Sequence, residues 1–100
     1  MVMNAAMPKN RHGLTTISQD YTPLDTDKTI VVTSGAVTVT LPNAQGRLQK
    51  IYDVHNKGAG IVTMATTDSQ TISEYNSADL ILIQHESVTV QSDDNNWIIL

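Results

Sequence analysis

From Tyr21 onward, short apolar runs recur about every 8–12 residues, each bounded by residues that turn the chain, and this rhythm predicts an all-β sandwich or barrel. Composition agrees where it matters. Nine Val, nine Ile and thirteen Thr make 31 of the 100 residues β-branched, and such side chains fit a pleated surface better than a helix. Thr29–Thr33 is the first run, and Ser34-Gly35 turns it. Ala36–Leu41 alternates cleanly, with Val37, Val39 and Leu41 on one side, until Pro42 stops it, because proline cannot donate to a ladder. Lys50–Asn56 puts Tyr52 and Val54 on one face, and Ile51, Asp53 and His55 on the other. Lys57-Gly58-Ala59-Gly60 reads as a hairpin onto Gly60–Ala65.

The C-terminal third continues with a short strand at Gln70–Ser73, then Asp79–Ile83, Glu86–Gln91 with Val88 and Val90 inward, and Asn96–Leu100. A helix over 71–84 competes, since Thr71 and Glu74 stand at capping-box spacing. The apolar density of 80–83 and the Asn76-Ser77 interruption disfavour it. Leu80, Ile81, Leu82 and Ile83 cannot all point into one thin core, so a second sheet or a second subunit must cover one side. These four residues are the expected oligomer interface.

Residues 1–18 differ from the rest. They hold Lys9, Arg11 and His12, no acid, and no period of 2 or 3.6. They read as a flexible N-terminal arm. The expected division is an arm over 1–20, suited to attachment, and a small antiparallel, jelly-roll-like β-sandwich over 21–100. The start lacks the apolar stretch of a secretory signal. No run is long enough for a membrane-spanning helix, so no membrane partner is expected. The net charge of −4 argues against nucleic acid as the partner.

No catalytic pattern emerges. There is no Gly-x-Ser-x-Gly elbow, and no cysteine for a thiolate site or nucleophile. His12, His55 and His85 have no ligand spacing. Asp25/Asp27 and Asp93/Asp94 lack the calcium-loop pattern and read as solvated turns. No catalytic residue, metal or other cofactor is expected.

One linear order stands out. Asp27–Val32, Val37–Pro42, Gly46, Ile51–Gly60, Gln70-Thr71-Ile72, Glu86–Asp93 and Asn96–Ile99 together resemble a β-sandwich module of tailed-bacteriophage virion proteins, of the kind in head decoration proteins, head fibres and tail fibres. The resemblance covers about residues 21–100. It implies a compact, often trimeric module with a structural or adhesive role. In the family pattern Asp-Gly often precedes Asn-Trp. Here the run is Asp93-Asp94-Asn95-Asn96-Trp97, so Asn95 is expected at the positive-φ position. Trp97 and Leu41 are expected as core anchors, the indole N–H meeting a carbonyl. Glu86 is expected to accept backbone donors at its turn.

The expected function is therefore that of a non-enzymatic virion structural protein. It would be a homotrimeric capsid decoration or head-fibre protein, made in the host cytoplasm and carried on the virion. Its arm (Lys9, Arg11, His12) would hold it to capsid or tail proteins. The alternative is a tail-fibre receptor- or carbohydrate-binding module, with Tyr75 and Asn76 as the contacts to a host-surface glycan.

Overall fold

The computed structural model describes residues 13–100, which form eight strands: β1 (Leu14–Ile17), β2 (Thr29–Val32), β3 (Val37–Thr40), β4 (Ile51–Asn56), β5 (Val62–Ala65), β6 (Leu80–Leu82), β7 (Ser87–Ser92) and β8 (Trp97–Ile99). They make a five-stranded sheet, β1-β2-β4-β7-β8, and a three-stranded sheet, β3-β5-β6. The two share one core. Ile30, Val32, Tyr52, Val54, Val88, Val90 and Trp97 meet Val37, Val39, Val62, Met64 and Leu82. The alternation read in 36–41, 50–56 and 86–91 sets these inward positions.

The all-β expectation holds, but the pairing is mixed rather than antiparallel. β1, β2 and β4 lie parallel in one sheet, and β3 and β5 lie parallel in the other. The first two-thirds of the chain thus wind as three rungs. β1 leads to Tyr21, which bridges Val39 in parallel. β2 turns a corner into β3, and β4 turns a corner into β5. Each corner rests on the previous one. Thr33 N donates to Ile17 O at 3.0 Å, and Lys57 N to Val32 O at 2.8 Å. A final rung runs backwards. β6 lies antiparallel to β5, β7 antiparallel to β4, and β8 returns beside β7.

Two further expectations are corrected by this winding, and the disfavoured helix is absent. Lys57–Gly60 is not a hairpin. It is a corner between sheets, and its glycines serve close stacking. A Cβ on Gly58 would stand 2.9 Å from the Ser34 amide nitrogen, and one on Gly60 would collide with the Gly35 carbonyl. The arm does not reach residue 18 or 20. Leu14–Ile17 is a strand, in register with Thr29–Val32. Residues 71–84 hold no helix; Ile72 and Tyr75 close a bridged turn on each other, with Ser73 at φ 51.

The expected anchors are in place. Leu41 and Trp97 are fully buried, and the Trp97 Nε1–H donates to Pro42 O at 3.1 Å. Glu86 accepts from Ile83 N at 2.9 Å. In the loop before Trp97, Asp94 rather than Asn95 takes positive φ, at 77°. Asn95 N and Asn96 N both donate to the Asp93 carboxylate, which fixes the turn one residue earlier.

Candidate interaction surface

Two polar clusters lie beneath the surface, and both hold the fold together. The first surrounds Asp27, which is fully buried although its Asp-Thr-Asp context reads as a solvated turn. Its carboxylate accepts from Thr15 Oγ1, Tyr21 OH (2.6 Å) and Leu24 N (2.8 Å). Lys50 Nζ donates to the carbonyls of Asp25 and Asp27 and stands 4.7 Å from the Tyr52 ring centroid. Burial pushes the Asp27 carboxyl up, but the three hydrogen bonds and the Lys50 charge outweigh it, and the group sits below the ordinary carboxylate value. Tyr21 is pushed up to about 12 by burial and by the Asp27 carboxylate. Tyr52 reaches about 12 as well, by burial and by the Asp25 charge. No local signal marks Asp27 in the sequence, because its donors come from 12, 6 and 3 positions away.

The second cluster is neutral at its centre. Gln70 Oε1 accepts from Ala44 N, and Gln70 Nε2 donates to Asn43 Oδ1. Ser92 Oγ donates to Ala44 O, and Asn96 Oδ1 accepts from Thr71 N. Trp97 N donates to Thr71 O. Leu41-Pro42, Gln70-Thr71-Ile72 and Asn96-Trp97, separate in the sequence, therefore meet in one latch that closes the last rung. Every buried side-chain nitrogen and oxygen among the described residues has a hydrogen-bond partner. These residues form no cavity or cleft, and no three metal-ligating side chains gather among them.

What faces outward is two sheet surfaces. On the larger sheet, the central strand β4 turns Ile51, Asp53 and His55 out, between Thr29 and Val31 of β2 and Thr89 and Gln91 of β7. The smaller sheet carries no ionisable side chain in any of its three strands. Thr38, Thr63 and Ile81 form a row across it. Just beyond the Val62–Leu82 pair, Ile61 and Ile83 follow on the outward side. Ile61 is 46 % exposed, Ile81 46 % and Ile83 54 %.

The expected interface residues therefore divide. Leu82 is buried and Leu80 packs against the core, whereas Ile81 and Ile83 point out. Period-2 alternation explains the split. Ile61 joins them, although the sequence reading did not single it out; the signal was its alternation with Val62. Tyr75 is half-buried against the core and Asn76 is exposed, so no aromatic ring stands free as a sugar platform. Lys9, Arg11 and His12 lie outside the described residues. Compared with known proteins, the chain matches no family model, no curated protein and no solved structure.

Proposed function

We propose that this chain is a non-enzymatic structural protein of a tailed-bacteriophage virion, a homotrimeric capsid decoration or head-fibre protein attached through residues 1–12. One observation carries the reading. Three of the segments behind the resemblance (Leu41-Pro42, Gln70-Thr71-Ile72, Asn96-Trp97) converge in the latch that closes the fold. The pattern is thus one of architecture, and what it leaves at the surface is two sheet faces available for contact with other proteins. The core packing of Tyr75 favours this reading over glycan binding.

The test is immunogold labelling of virions purified from the source culture, with co-sedimentation of added protein. Labelled particles are expected. A variant lacking residues 1–12 should keep the fold and lose particle binding; the deletion stops there because Leu14–Ile17 is a strand of the sheet. Unlabelled virions, or undiminished binding by the truncated protein, would contradict the attachment role.

A further inference from the structure

We infer that the outer face of the β3-β5-β6 sheet is the surface through which copies of this chain meet, with Ile61, Ile81 and Ile83 as the contacting side chains. The inference deepens the reading above and rests on it for the number of copies.

Three observations carry it. The first is charge. Residues 19–100 hold ten acids against Lys28, Arg47, Lys50 and Lys57, so two copies repel each other through most approaches. The strands of the smaller sheet bear no ionisable group; the nearest carboxylates, Asp20 and Glu86, stand at the rim of the face, accepting from the Thr38 and Ile83 amides. On the larger sheet, Asp53 stands out from the central strand, where a symmetric contact would bring it towards its own copy.

The second observation is the edge. β6 ends its sheet with Leu80-Ile81-Leu82 and has no charge or proline of the kind that guards an exposed edge. The larger sheet ends at β1, which likewise bears no charge or proline, and at β8, whose outer side residues 71–73 cover. Trp97 N donates to Thr71 O, and Ser73 N to Trp97 O.

The third is self-complementarity. A closed cyclic assembly uses the same surfaces of every copy, and around a three-fold axis the row of Thr38, Thr63 and Ile81, beside Ile61 and Ile83, can gather with its two equivalents. Burial of those isoleucines supplies a non-directional driving force.

The chain has no cysteine, so single cysteines can report which face is inside. Thr63→Cys and Thr89→Cys sit mid-face on the smaller and larger sheets. A short bis-maleimide should join Thr63→Cys chains into covalent dimers on a denaturing gel, each thiol forming one thioether, and leave Thr89→Cys monomeric. Ile81→Asp should lower the solution mass threefold, to one chain, with an unchanged far-ultraviolet circular dichroism spectrum. Ile98→Asp, on the larger sheet, should keep the full mass. Cross-linking through Thr89→Cys but not Thr63→Cys overturns the assignment, as does a folded Ile81→Asp protein of full mass. A wild-type monomer at every concentration overturns both this face and the trimeric reading. Cross-linking through Thr63→Cys together with unlabelled virions upholds the face and removes the virion reading alone.

Discussion

The two ends of the molecule are fastened by different chemistry. At the N-terminal end, the first rung is held by one buried carboxylate, Asp27, and its donors come from β1, Tyr21 and the loop at Leu24. At the other end, the latch shares its hydrogen bonds among Pro42, Ala44, Gln70, Ser92 and Asn96, all neutral, around the Trp97 ring. Trp97 also packs against Tyr52, with ring centroids 5.4 Å apart. A charged hub concentrates its contribution in one protonation state, whereas a neutral latch spreads it over many bonds and an apolar anchor. The first rung is thus the part of the fold that pH reaches first.

The largest effect expected is that of Trp97→Ala. It removes the biggest buried side chain and leaves the Pro42 carbonyl without its donor, a loss of about 4 kcal/mol. The midpoint of urea unfolding should fall accordingly, with all strands losing protection together. Asp27→Asn should follow, at about 2–3 kcal/mol, because buried donors lose a charged acceptor. Its amide exchange should rise most at Leu14–Ile17 and least in β7. Uniform acceleration in both variants would erase the contrast between the ends.

The contrast is sharpened by pH. The folded-state pKa of Asp27 lies below its unfolded value of 3.8. Its contribution is therefore complete above that value and is lost as pH falls through the lower, folded one. Tyr21 and Tyr52 act with the opposite sense. Their phenols ionise near 10 when unfolded and at about 12 in the fold. Stability therefore declines as pH rises between those values. Exchange at Leu14–Ile17 should accelerate at both extremes before exchange in β8 does. The smallest effect belongs to Asp25→Ala. It breaks the 2.7 Å ion pair with Arg47, in which the Asp25 side chain is 70 % exposed. Such a pair contributes below about 1 kcal/mol, and the melting temperature should barely move.

Much of this was legible in the residues. Alternation identified the inward faces of β3, β4 and β7, and the Trp97, Leu41 and Glu86 assignments followed from local chemistry. Strand partnership was not legible. Lys57–Gly60 announces a sharp turn, but whether the chain reverses beside β4 or crosses to the other sheet depends on the corner beneath it, at Thr33–Gly35, which is distant in sequence. β1 was missed because four residues flanked by polar neighbours show no period, and the carboxylate that secures the strand is twelve positions away. The apolar run 80–83 was recognised as two-faced. Only the pairing with β5 shows that Leu82 faces the core and that Ile81 and Ile83 face outward, beside Ile61.

The function proposed places the work of this chain on its sheet faces rather than in a site. The most direct test is the solution mass of the full-length protein by multi-angle light scattering across a range of concentrations. A mass of three chains that persists on dilution is expected. A mass of one chain, 10.9 kDa, at every concentration would contradict it.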